Sequence, residues 1–217
     1  MSMRSQSRAG FTLVELLVVI AVVALLVAIA IPSLAVARRS SKKLETHHDL
    51  RQIRTALSVY QLDHAEKIPP TRAGCSTRIS YELPPELAEG GMLPQVLDDG
   101  VVRVSLRDPW TGDQYRFRAP GPMIMNEFSL LTGAQGSKIW VPDEFPKLTG
   151  PGRYHQDPSD CPVLYAVWSM GPDPEAPKLL DNPGRAPVPS KYWMTGAGDD
   201  GIITHIVPRR GQEILSP

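Results

Sequence analysis

One acid stands inside the longest apolar stretch of this 217-residue chain: Glu15, within "GFTLVELLV" (Gly10–Val18). From Phe11 to Ala37 the only interruptions are Thr12, Glu15, Pro32 and Ser33. A carboxylate in a run long enough to cross a bilayer is costly, and it becomes tolerable once a cation neutralises it. Glu15 therefore reads as a residue with a task. The other titratable residues show no catalytic spacing. His47 and His48 sit in a polar helical segment, and His64, His155 and His205 are scattered. There is no H-E-x-x-H, G-x-S-x-G or C-x-x-C. "GAGDDG" (Gly196–Gly201) matches G-x-G-x-x-G formally, but two aspartates would repel a pyrophosphate, and a strand pattern follows where a helix is required. His205 alternates within Ile202–Val207 and reads as a sheet-surface residue rather than a general base, and Arg209-Arg210 as a solvated tail. Cys75 and Cys161 could pair in an oxidising compartment or stay apart; their spacing does not decide.

The elements that would carry these residues follow from composition. Lys+Arg and Asp+Glu are balanced at 23 each, and no basic stripe with interleaved aromatics is present, so nothing argues for nucleic acid as a partner. The apolar run, continued as a helix over 27 residues, would span roughly 40 Å against a hydrocarbon core of about 30 Å. Beyond Arg38, Arg39, Lys42 and Lys43 the pattern changes: Leu50, Ile53, Leu57 and Tyr60 recur at helical spacing with polar residues between them. The sequence thus predicts one long helix from about Phe11 to Glu66, ended by Ile68-Pro69-Pro70. Of 22 prolines, only Pro32 precedes residue 67, so the rest of the chain should be strands and loops. Val101–Leu106, Tyr115–Arg118, Val163–Met170 and Ile202–Val207 read as short strands, with Asp108–Arg118 at a hairpin edge over Trp110. Thr71–Leu97 and Gly121–Asp160 read as long loops. The expected architecture is α+β: a long helix, half membrane and half amphipathic, on a small antiparallel sheet.

A secretory signal peptide would end at "AVA" (Ala35–Ala37), but the unbroken apolar run of 16 residues, Leu16–Ile31, exceeds an ordinary h-region of about 7–15. A plain signal anchor leaves Glu15 idle and faces the wrong balance of basic flanks. The third reading uses every residue. "RAGFTLVELLVVIAVVALLVAIAIPSL" resembles the class III leader and N-terminal helix of type IV pilins and type II secretion pseudopilins. That resemblance implies a prepilin peptidase cutting after Gly10 and methylating Phe11. It implies that Glu15 pairs with the free N-terminal amine of a neighbouring subunit, and that Pro32 is where the helix loosens in a filament. The implied organisation is a leader at 1–10, a transmembrane and assembly helix at 11–37, its amphipathic continuation at 38–67, and a β-rich periplasmic domain at 68–217.

"LRDPWTGDQYRFR" (Leu106–Arg118) resembles the Asp-Pro-Trp-Gly segment of the major type II pseudopilin, with Thr111 extra. The major pseudopilin is shorter than this chain, so the two long loops read as insertions. "WSMGPD" (Trp168–Asp173) and "GAGDDGI" (Gly196–Ile202) resemble the two arms of that protein's calcium loop. Carried over, Asp173, Asp199 and Asp200 would supply side-chain oxygens, and the carbonyls near Ser169 and Met170 would help hold one Ca²⁺. The other reading, a solvated acidic turn without an ion, stays open. The implied function is structural and not enzymatic: a pseudopilin in the inner membrane, single-pass, with its domain in the periplasm. Its implied partners are the peptidase, other subunits, the inner-membrane assembly platform and secreted cargo. A type IV minor pilin is the near alternative, and a membrane-anchored periplasmic enzyme or binding protein the distant one.

Overall fold

The computed structural model describes residues 12–73, 81–98, 100–125, 129–131, 136–141, 153–172 and 201–216. The chain divides into two compact units, Met1–Lys42 and Lys43–Pro217. The dominant element is helix α1, Leu13–Asp63, 51 residues and so roughly 75 Å long. It runs through Pro32 without a break. Pro32 removes one backbone donor from the ladder and so weakens the helix locally. Within the first unit the apolar side chains of α1 from Leu13 to Val36 are all exposed. Among the described residues this is the one helix long and apolar enough to cross a membrane.

In the second unit α1 becomes amphipathic as expected, and Leu50, Ile53, Ala56 and Leu57 are buried on one stripe. It ends at Asp63, three residues short of the expected Glu66. Ala65 and Glu66 both take positive φ (54° and 61°), and the Glu66 amide donates to the Gln61 carbonyl at 2.8 Å. That bond closes the last turn before the prolines.

The elements that follow are β1 (Thr71–Ala73), α2 (Glu86–Glu89), β2 (Gln95–Asp98), β3 (Val101–Val104), β4 (Arg116–Arg118), β5 (Met123–Met125), β6 (Ser129–Leu131), β7 (Ile139–Val141), β8 (Arg153–His155), β9 (Val163–Ser169), β10 (Ile203–Pro208) and β11 (Ile214–Leu215). The main sheet is antiparallel with order β11-β10-β9-β4. A second, three-stranded sheet runs β1-β5-β6, and its β1–β5 pair is parallel. Glu82 stitches the two together by bridging Arg72 on one side and Arg116 on the other. Beside it the Tyr81 carbonyl accepts from the Phe117 amide at 2.9 Å, and the Arg118 guanidinium lies 4.3 Å from the Tyr81 ring centre. The α+β class stands.

Strand alternation splits the sheet's side chains into two cores. Phe117, Tyr165, Val167 and Ile203 pack with Leu50, Ile53, Ala56 and Leu57 of α1. Ala166, Trp168 and Ile206, on the opposite face, pack with Tyr81, Ile139, Val141 and Cys161. Both cores draw on the stretches expected to be loops, Thr71–Leu97 and Gly121–Asp160, and correct that reading. The first stretch holds β1, α2 and β2, and the second holds β5 to β8. With only three or four residues per strand, none is long enough to show a period. The hairpin reading also changes. β3 pairs with β2 across the Asp99-Gly100 dipeptide, with Asp98 opposite Val101, whereas β4 pairs with β9. The segment between β3 and β4 is a turn linking different sheets.

Candidate functional site: the helix start and the Asp108 hub

At the N-terminal end of α1 the sequence Thr12-Leu13-Val14-Glu15 forms a reciprocal cap. The Thr12 amide and hydroxyl both donate to Glu15 Oε2 at 2.8 Å, and the Glu15 amide donates to Thr12 Oγ1 at 3.2 Å. Two of the helix's orphan donors are satisfied this way. Glu15 thus has a local partner in the single subunit, beyond any role toward another chain. The T-x-x-E spacing of a capping box marks this helix start in the sequence. Gly10 and Phe11 lie outside the described residues.

A second polar centre organises the domain. Asp108 is 1% exposed. Its Oδ2 accepts from the Ser169 hydroxyl at 2.8 Å and from the Met170 amide at 2.9 Å, and its Oδ1 accepts from the Trp110 amide at 3.0 Å. Burial pushes the carboxyl up from its ordinary value, against the pull of these three donors and of Arg116. The Ser169 hydroxyl oxygen in turn accepts from the Gly171 amide at 3.0 Å. One carboxylate therefore ties the Asp-Pro-Trp turn to the end of β9.

The same turn is fastened to α1. Trp110 Nε1 donates to Thr46 Oγ1 at 3.0 Å, and the Tyr115 hydroxyl donates to Asp49 Oδ2 at 2.9 Å. Burial, joined by the Asp49 carboxylate, pushes the Tyr115 phenol well up. Thr46 and Asp49 are functional positions that the helical pattern of the sequence also marks. Their signal was position: 46, 49, 50, 53, 56 and 57 share one helical stripe, so two polar residues there required buried partners.

The residues carried over for calcium divide. Ser169 and Met170 stand at the end of β9, where the Ser169 hydroxyl and the Met170 amide are already committed to Asp108, leaving only carbonyls to offer. Asp173, Asp199 and Asp200 lie outside the described residues. The chain on either side of them converges: a Cβ built on Gly171, at φ +63°, would sit 2.2 Å from the Gly201 carbonyl oxygen. Among the described residues no three His, Cys, Asp or Glu side chains gather as a metal site.

His205 corrects the expectation of a sheet-surface residue. It is buried on the face of β10 turned toward α1, opposite Val167, with Nε2 3.0 Å from Glu213 Oε2. Arg54 Nε of α1 donates to the other oxygen of Glu213 at 2.8 Å. Arg209 is exposed, but its Nε donates to the Cys161 carbonyl at 3.2 Å, so it is tied down rather than a loose tail. Cys161 is buried, and burial pushes its thiol up to about 11. Cys75 lies outside the described residues.

The family comparison rests on these same regions. The prokaryotic N-terminal methylation motif matches residues 5–31. Type II secretion system core protein G of Klebsiella michiganensis is 34% identical over 120 residues, covering 55% of this chain and 79% of that protein. The chain belongs to the core protein G family of pseudopilins. The same protein of Dickeya chrysanthemi is 30% identical over 52% of this chain and 69% of its own length. That of Pseudomonas aeruginosa is 28% identical over 63% and 90% respectively. No solved structure matches the chain. For a pseudopilin, the long apolar helix and the α+β domain are the expected pair of parts.

Proposed function

We propose that this chain is a structural subunit of a type II secretion pseudopilus, matured by a prepilin peptidase that cuts after Gly10 and methylates Phe11. The apolar half of α1 holds the subunit in the inner membrane, with the domain in the periplasm. On assembly the Phe11 amine of one subunit pairs with Glu15 of the next, and the apolar helices pack together away from lipid. The observation that carries this reading is Glu15 itself: a carboxylate in the first turn of a membrane-length helix, the fifth residue after the proposed cleavage point, inside a methylation motif. Because Glu15 is held by Thr12 in the single subunit, pairing with an amine replaces or extends that cap rather than filling an empty site. Other pseudopilins and the inner-membrane assembly platform are the direct partners, with secreted cargo meeting the domain. The protein's role is mechanical and not catalytic.

The ion reading belongs to the same proposal. Asp173, Asp199 and Asp200 supply carboxylates, and the carbonyls at Ser169 and Met170 complete a Ca²⁺ shell that fixes the ends meeting at Gly171 and Gly201. If Cys75 and Cys161 pair in the periplasm, the bond would tie Cys75 to the second core.

The test is the mass of the N-terminal peptide from native membranes, together with Glu15→Gln. A peptide starting at methylated Phe11, and a variant that inserts normally but yields few filaments, are the expected results. A chain starting near Arg38, or normal filament levels in the variant, would overturn the proposal.

A further inference from the structure

Arg38, Arg39 and Lys42 are exposed on the part of α1 that immediately follows the apolar run. At about 100° per residue they fall within a sector of about 100° of the helix surface. Like charges at i,i+3 and i,i+4 cost the helix a few tenths of a kcal/mol each. No Asp or Glu occurs between Glu15 and Glu45. This distribution also opposes the usual preference for basic residues on the cytoplasmic side.

Distance along the helix gives the cluster its address. With Glu15 at one hydrocarbon boundary, a core of about 30 Å takes about 20 residues and ends near Ala35. Arg38 and Arg39 then stand about 5 Å beyond that boundary and Lys42 about 10 Å, which spans the headgroup layer and its outer edge. Long basic side chains at that depth reach phosphates readily.

We propose that Arg38, Arg39 and Lys42 form a binding face for anionic phospholipid headgroups of the periplasmic leaflet, which holds the subunit at a fixed depth before assembly. This rests on the reading of α1 as a membrane span. Each basic residue near an anionic surface is worth about a fivefold change in affinity. Assembly must therefore break these contacts as the subunit leaves the bilayer.

The test uses the full chain reconstituted in phosphatidylcholine vesicles carrying trace spin-labelled phosphatidylglycerol or phosphatidylcholine. The fraction of each label immobilised at the protein reports selectivity. The expected result is a preference for phosphatidylglycerol of at least about fivefold, lost in R38Q/R39Q/K42Q and in 0.5 M salt. It should be kept in R38K/R39K/K42R and in R4Q/R8Q. No preference in the unmodified chain, or a preference that survives the triple glutamine variant, overturns the inference. A preference lost only in R4Q/R8Q assigns it to the leader and overturns it too. A chain that fails to float with the vesicles refutes the membrane span itself, whereas a chain that floats without selectivity refutes only the headgroup face.

Discussion

Replacing Asp108 with asparagine separates a charged hub from a merely well-packed one. The carboxylate accepts three hydrogen bonds, two at Oδ2 from Ser169 and Met170 and one at Oδ1 from Trp110. An amide of the same shape keeps one oxygen, which stays where two donors converge. Its NH₂ then faces the Trp110 amide, and a half-buried donor left without a partner costs about 1 kcal/mol. The two remaining bonds lose their charge assistance, about 1 kcal/mol each. The sum is about 3 kcal/mol, a sizeable part of a total stability of about 5–15 kcal/mol. For a domain of this size it should lower the melting temperature by about 6–12 °C. The measurement is a thermal melt of the full chain in detergent, followed by tryptophan fluorescence, since Trp110 and Trp168 flank the site. A shift under about 1 °C would refute the reasoning. It would mean that the upward push of burial on this carboxyl is large enough to leave it a neutral acid at the pH of the melt, which asparagine copies.

Gly171→Ala should be among the most damaging single-methyl changes, because φ is +63° and the added carbon meets the Gly201 carbonyl oxygen at 2.2 Å. A loss on the order of 3–5 kcal/mol is expected, read as a melting temperature lower by about 6–20 °C. The pH profile of stability should carry the mark of His205, whose imidazole burial pushes below its ordinary value despite the pull of Glu213, while Arg54 opposes its protonation. The folded state binds that proton less readily than the unfolded one, so stability is full above about pH 6.5 and is lost as pH falls through the folded value. Melts between pH 7 and 5 should show this fall steepened in Glu213→Gln and flattened in His205→Gln. Thr12→Val removes the hydroxyl half of the cap on α1 and should cost about 1 kcal/mol at the first turn. Faster hydrogen exchange at the Glu15 amide in bicelles would register it, and unchanged exchange would mean the cap contributes nothing in a membrane.

What could be read in the sequence follows the reach of each physical signal. Leu50, Ile53 and Leu57 repeat over several turns, so α1 was legible to within three residues of its C-terminal end, and branched runs marked β3, β9 and β10. The three-residue strands β1 and β5 to β8 carry too few positions for any period, and of these β7 places Ile139 and Val141 on the second apolar face with Trp168, Ala166 and Ile206. That face was itself foreseeable: β9 is buried at nearly every position, whereas a sheet covered on one side alternates. The same logic applies to His205. Alternation in Ile202–Val207 places it opposite Ile206, but which face meets water depends on how many layers the sheet has. Once both faces are covered, a polar residue on either one must find a partner, and Glu213 with Arg54 provides it. Asp108, Asp49 and Thr46 belong to this class too. Thr46 and Asp49 stand on the buried stripe of α1, Asp108 is a buried acid in a turn, and each anchors one piece of chain to another distant in sequence. A polar residue at a buried position is therefore the sequence's mark of a tertiary joint in this domain.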